Sequence, residues 1–108
     1  MKTRTMRIYK KYFDMIKNGV KTVEIRVAYP SMAKIQKGDV IKFNGDPNCA
    51  CEVLRVSKYS SFAEMMQNEN PKAINPYEDA ETQLRAIRKI FPPRAERLGV
   101  LVFELRKL

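Results

Sequence analysis

Gly19-Val20-Lys21-Thr22-Val23-Glu24-Ile25-Arg26-Val27 is the stretch on which the reading of this chain turns. Upstream of it, Tyr12, Phe13 and Ile16 recur at helical spacing within Lys10–Asn18, and Gly19 stands where a helix ends in a left-handed residue. The period then changes. Val23, Ile25 and Val27 alternate with Thr22, Glu24 and Arg26, which predicts a strand with one apolar and one polar face. Glu24 and Arg26 fall side by side on the polar face, and Lys21, at the strand's start, can curl towards it through the strand twist. Lys21 and Arg26 so placed suit phosphate, and Arg26 can also fork onto a base edge or carbonyl. Glu24 suits an exocyclic amine as hydrogen-bond acceptor, or water as general base. From spacing alone the simpler reading is a surface ion pair worth ~0–1 kcal/mol.

Working outward, Thr5–Ile8 reads as a short strand, and Ala28-Tyr29-Pro30 closes the central one, because the residue before proline favours extended or turn conformations. Met32–Ile35 predicts a turn or one helical winding. Lys37-Gly38-Asp39 turns into a strand at Val40–Phe43, and Asn44-Gly45-Asp46-Pro47 turns again into Cys49–Lys58, an antiparallel partner. Ser61-Phe62-Ala63-Glu64 is a capping box opening a short helix that buries Phe62, Met65 and Met66. Asn75-Pro76-Tyr77-Glu78 offers an N-cap, a proline at the first helical position and a glutamate at the third. It predicts a helix to about Ile90 with Tyr77, Ala80, Leu84, Ile87 and Ile90 or Phe91 inward. Pro92-Pro93 end that helix, and Gly99–Leu105 is a closing strand. The pattern is α+β: a small β-barrel of mostly antiparallel strands with two to three flanking helices, one domain over residues 1–108.

Composition narrows the chemistry. The 108 residues include 21 Lys+Arg against 12 Asp+Glu, a net charge of +9, with no histidine, no tryptophan and two cysteines. Without histidine there is no Ser-His or Cys-His nucleophile and no HExxH zinc site. Cys49 and Cys51 point the same way along a strand, too close for an unstrained bridge, and nothing completes a tetrahedral metal site with them. They read as small core residues in a reducing cytoplasm, with no metal and no cofactor expected. No apolar run longer than Val100–Phe103 occurs, so no membrane association is expected. The charge is uneven: +6 over residues 1–26, +2 over 27–58, −4 over 59–82 and +5 over 83–108. Basic excess at the two chain ends favours a polyanion partner, nucleic acid, over a merely lysine-rich surface. The acidic dip matches helix electrostatics: Glu78, Asp79 and Glu81 precede Arg85, Arg88 and Lys89 on one helix.

The run Gly19-x-Lys21-x-x-Glu24-x-Arg26 resembles the signature of the ASCH domain family, a branch of the PUA-like superfamily. Lys37–Phe43 is similar to that family's next strand, Tyr59-Ser60-Ser61-Phe62 to the start of its inserted helix, and Gly99–Leu105 to its closing strand. Arg26–Pro30 resembles a small archaeal and bacterial single-domain subgroup. The resemblance implies a PUA-like barrel with a cleft beside Lys21, Glu24 and Arg26, and a module that binds or processes RNA. Some small members look like amidohydrolases acting on N4-acetylcytidine, and others are similar to ribonucleases. In the amidohydrolase type the position of Lys21 holds the essential lysine, and that of Glu24 a nucleophilic threonine; a glutamate from the helical insert corresponds to Glu78 or Glu81. Glu24 is a carboxylate, not a hydroxyl nucleophile, so this chain departs from that type where its chemistry begins.

The leading expectation is therefore an RNA-binding module whose cleft recognises a nucleotide or an RNA end, with Lys21, Glu24 and Arg26 on the ligand and Tyr29 stacking on a base. The alternative is a hydrolase of a modified nucleoside or an RNA phosphodiester, with Lys21 and Glu24 catalytic. A third reading, an adaptor using Met65 and Met66, requires both to be exposed.

Overall fold

In the computed structural model, which describes all 108 residues, the chain runs β1 (Thr3–Met6), α1 (Lys10–Lys17), β2 (Val23–Val27), α2 (Pro30–Ala33), β3 (Val40–Phe43), a 3₁₀ turn at Pro47–Cys49, β4 (Ala50–Tyr59), α3 (Phe62–Asn68), α4 (Pro71–Ile74), α5 (Ala80–Ile90), α6 (Pro93–Glu96) and β5 (Val100–Lys107). All five strands form one sheet in the order β1-β3-β4-β5-β2. Three pairings are antiparallel, and β1 runs parallel to β3. The α+β class and mostly antiparallel strands agree with the sequence, and three helices reach seven residues or more. The barrel does not close: β1 and β2 remain as the two edges of an open sheet.

Alternation along β5 explains why both sheet faces are dry. Leu101, Phe103 and Leu105 join Ile41, Phe43, Val53 and Ile16 in one cluster. Val100 and Val102 face the other way and join Val23, Ile25, Val27, Phe62 and Met65 in a second. Cys49 and Cys51 sit fully buried in the first cluster, where burial pushes the Cys51 thiol up to about 11. Met65 is buried and Met66 half-buried against the second cluster, so the adaptor reading lacks its patch.

Local chemistry sets the helix starts, not always where the sequence placed them. Ser61 Oγ accepts from Glu64 N (3.0 Å) as expected, while the Glu64 carboxylate returns to Ser60. The Asn-Pro start operates five residues earlier, where Asn70 Oδ1 accepts from Lys72 N (3.0 Å) ahead of Pro71. Asn75 instead folds a turn onto Tyr77 N (2.9 Å), and Asp79 caps α5 by accepting from Thr82 N (2.8 Å). The long helix therefore begins at Ala80, and Tyr77, expected inward, projects from the preceding turn at 71 % exposure.

Asp39 ties the start of the chain to the sheet. Its carboxylate accepts from Lys2 N, Gln36 N and Arg4 Nε, each at 3.0 Å. Backbone hydrogen bonds from Gln36 and Lys2, then Arg4, hold its carboxyl down to about 2 from an ordinary 3.8. A depressed folded-state value means stability that is present above 3.8 and lost as pH falls through about 2. Asp39→Asn should therefore melt well below the wild type at neutral pH, and the gap should shrink towards pH 2. Thermal unfolding followed by circular dichroism across that range checks this, and a gap independent of pH would contradict it.

Candidate functional site

The site begins at the end of α1. Gly19 has φ +79°; its N–H donates to Ile16 O (3.0 Å) and the N–H of Val20 to Met15 O (3.0 Å), closing the helix with a Schellman motif. Lys21 N also reaches Met15 O (3.1 Å), and Thr22 N donates to Ala73 O (2.9 Å), so the corner is fixed to α1 on one side and α4 on the other. The chain then enters β2, where Glu24 lies opposite Phe103 and Arg26 opposite Leu101 on β5.

That polar face was expected to meet solvent. It does not: Glu24 is 6 % exposed and Lys21 4 %. Helices α1 and α5 and the segment before α1 stand over it and enclose a cleft of about 650 Å³, within the range of small-ligand sites. Arg7 and Tyr9 come from the connection after β1, and Tyr12 from α1. Asn75 and Glu78 come from the turn before α5, and Gln83, Ile87 and Ile90 from α5 itself. Lys11 reaches Glu78 (3.4 Å), linking α1 to the turn before α5 beside the cleft.

Lys21, Glu24 and Arg26 do come together, as a linked row. Lys21 Nζ donates to Val23 O (2.7 Å) and Ile74 O (3.0 Å) and contacts Glu24 Oε1 (3.3 Å), with the Tyr12 ring 5.7 Å away. The ammonium donates two hydrogen bonds and has Glu24 as its ion-pair partner, so Lys21 is a buried strut beside Glu24 rather than an exposed phosphate ligand. Arg26 approaches Glu24 Oε2 through Nε (3.0 Å) and Nη2 (2.9 Å), and Nη2 also donates to Arg7 O (2.7 Å). Glu24 thus accepts one hydrogen bond, from Arg26 Nε, and has two further ion-pair contacts, so acceptor capacity remains on its carboxylate for a ligand. Arg26, with its side chain 20 % exposed, is the cation of the row that still faces the opening.

Tyr29 lies apart from this row. It is outside the cleft lining, and its carbonyl receives Met32 N (2.8 Å) and Ala33 N (2.9 Å) at the start of α2. Of the two helical glutamates, Glu78 lines the cleft, whereas Glu81 is exposed and pairs with Arg85 (3.1 Å). Sequence reading missed Arg7, Tyr9, Tyr12, Asn75 and Gln83. For Tyr9 and Tyr12 the available signal was two tyrosines three apart in a basic segment; for Gln83 it was an amide among the inward positions of an amphipathic helix.

An open α+β sheet covered on both faces, with a mixed cationic and aromatic cleft against one edge strand, agrees with the PUA-like fold that the sequence resemblance implies. Residues 6–106 match the ASCH domain, and the chain belongs to that family. Its fold matches the crystal structure of hypothetical protein PH0355 with a TM-score of 0.90 at 27 % identity, over the whole of both chains. It matches the solution structure of protein PF0455 from Pyrococcus furiosus with 0.80 at 25 % identity, covering all of this chain and 98 % of that one. The S128A mutant of ZmASCH from Zymomonas mobilis shares the fold alone, with 0.67 at 16 % identity over 95 % of this chain and 66 % of that one. No curated protein matches the chain. No helix is long and apolar enough to cross a membrane.

Proposed function

We propose that the chain is an RNA-binding module that takes one nucleotide, or the end of a strand, into the cleft beside β2. The observation that carries this reading is an exposed aromatic ring in the lining of a cleft that also holds the Glu24–Arg26 pair. Tyr9 is 65 % exposed and lines the same cleft as both. Unstacked bases are commonly held on such rings, with sequence-tolerant stacking worth about 1–3 kcal/mol per base. Arg26 and Arg7 supply charge for the phosphates, and the acceptor capacity left on Glu24 meets a base amine. The stacking role expected of Tyr29 passes to Tyr9.

Recognition ranks ahead of hydrolysis because of Lys21. A hydrolase of N4-acetylcytidine or of RNA would have Lys21 stabilise a developing oxyanion while Glu24 activates water. That ammonium is 4 % exposed, already donates to Val23 O and Ile74 O, and is paired with Glu24. No Ser, Thr or Cys lines the cleft as an alternative nucleophile. Turnover of N4-acetylcytidine or labelled RNA that disappears in Glu24→Gln would reverse the ranking.

Fluorescence anisotropy with short labelled single-stranded RNA tests the proposal. Tyr9→Ala and Arg26→Ala should each weaken binding about tenfold or more, and wild-type affinity should fall steeply with added salt. Unchanged affinity in both variants, each folded by circular dichroism, would sink the reading.

A further inference from the structure

Three consecutive residues of β2, Glu24, Ile25 and Arg26, line the cleft, although successive side chains of a strand point to opposite faces. Glu24 and Arg26 belong to the polar face. The Ile25 side chain lies on the other face, packed with Val23 and Val27 in the second core cluster. No residue of β4 or β5 lines the cleft. The cleft therefore opens on the free edge of β2, the side away from β5, where a strand offers its main-chain groups.

Which groups face that edge follows from the register. Leu105 N donates to Thr22 O (2.8 Å) and Ala28 N to Gly99 O (2.9 Å), at the two ends of the β2–β5 pairing. Bonded and unbonded residues alternate in an antiparallel pair, so Thr22, Glu24, Arg26 and Ala28 bond β5. Val23, Ile25 and Val27 turn their N–H and C=O outward. Two of these outward carbonyls are taken: Val23 O by Lys21 Nζ (2.7 Å) and Val27 O by Tyr29 N (2.8 Å). Ile25 alone keeps both groups open, its N–H without an acceptor in the chain and its carbonyl without a donor, although the residue is 6 % exposed. Buried main-chain groups are nearly always paired. The N–H and C=O of one extended residue face the same way, and a neighbouring strand would complete both. No strand fits here. Thr22 N is tied to Ala73 O (2.9 Å) on one side of Ile25, and the chain folds back onto Val27 O on the other, so the open stretch is one residue long.

We propose that the Ile25 main chain is a base-reading element of this cleft. It takes the edge on which an exocyclic amine adjoins a bare ring nitrogen, as in adenine and cytosine. Ile25 O accepts one amine hydrogen, and Ile25 N–H donates to the ring nitrogen. An amine has two hydrogens, so this contact does not compete with the one assigned to Glu24. Binding completes two groups that folding leaves open. An analogue lacking one partner is penalised, because it buries the other group unpaired. The inference rests on the reading of this cleft as an RNA site.

The test uses short uridine RNAs that carry one different base at a central position, with binding followed by fluorescence anisotropy. Adenosine is compared with 1-deazaadenosine, and cytidine with 3-deazacytidine. Each deaza base keeps the ring and the amine but has C–H in place of the ring nitrogen. Each deaza RNA should bind about tenfold more weakly than its parent. Ile25→Pro removes the same hydrogen bond from the protein side, and proline is tolerated on an edge strand where its nitrogen faces away from the ladder. That variant should bind the adenosine RNA as weakly as the wild type binds the deaza RNA, and should no longer distinguish the two. If it does not fold, the deaza bases still decide, because they leave the protein untouched. Equal binding of deaza and parent RNAs, still weakened by Tyr9→Ala and Arg26→Ala, would overturn the Ile25 assignment and leave the RNA reading standing. Absence of binding to any of these RNAs would overturn both.

Discussion

Glu24→Leu should lower the unfolding free energy by about 3–5 kcal/mol, the largest loss expected from any single change in the cleft. The carboxylate is the only counter-charge of Lys21, whose ammonium is 4 % exposed. Without it a buried cation faces two carbonyl oxygens and no negative charge. Lys21→Met should cost less, because Glu24 keeps Arg26 at 2.9 Å and the orphaned groups are mainly the carbonyls of Val23 and Ile74. The double variant should regain part of the loss, since removing both members of a buried pair is milder than removing one. At roughly 4–8 °C per kcal/mol for a chain of this size, Glu24→Leu should lower Tm by about 12 °C or more. Urea and thermal denaturation measure all three. A loss below ~1 kcal/mol for Glu24→Leu would mean that the row behaves as a surface pair.

The second large effect is expected away from the cleft, at Glu69. Its side chain, 5 % exposed, receives both terminal nitrogens of Arg55 (2.9 and 2.8 Å) and the hydroxyl of Tyr59 (2.5 Å). Arg55 stands just after a register shift in β4 and also bonds Glu104 on β5 (2.9 Å). One carboxylate thus fastens the end of α3 to the middle of the sheet. Glu69→Ala should cost about 3 kcal/mol, at the low end for a broken buried pair because Arg55 is partly exposed and keeps Glu104. The Arg55 guanidinium holds the Glu69 carboxyl below the ordinary glutamate value of 4.5, against the opposing effect of burial. The stabilisation is therefore complete above that value and is lost as pH falls through the lowered one. Denaturation at pH 7 and pH 3 should show the variant closing on the wild type in acid. A difference below ~1 kcal/mol at pH 7 would refute the fastening role.

Strands were the legible part of this chain because their evidence is local. Alternation in 22–27 predicted β2, and the turn residues around Asn44-Gly45 delimited β3 and β4 to within about a residue. The capping of α5 was less legible, since Asn75, Asp79 and Asn70 are all competent caps and packing chose between them. The three charged residues of the row were also legible, but not their condition. Nothing in 19–27 reveals that the polar face of β2 is roofed, because the roof comes from residues 7–12 and 74–91. That distance in sequence turned an expected surface ion pair into a buried one. It also changed Lys21 from a free phosphate ligand into a strut. The acidic dip was read as helix capping; Asp79 and Glu64 fit, whereas Glu69 is a buried partner of Arg55 and Glu78 a partner of Lys11.

Strand order carries one more implication, concerning time. β2 holds Glu24 and Arg26, yet its only partner in the sheet is β5, the last strand of the fold. During synthesis the early residues wait unpaired while β3 and β4 can already form their hairpin. β2 gains its place in the sheet only when residues 100–107 lie between it and β4. Non-local pairing of this kind slows folding and prolongs exposure of an unpaired edge. It also means that without residues 100–107 the strand that carries Glu24 and Arg26 has no pairing partner.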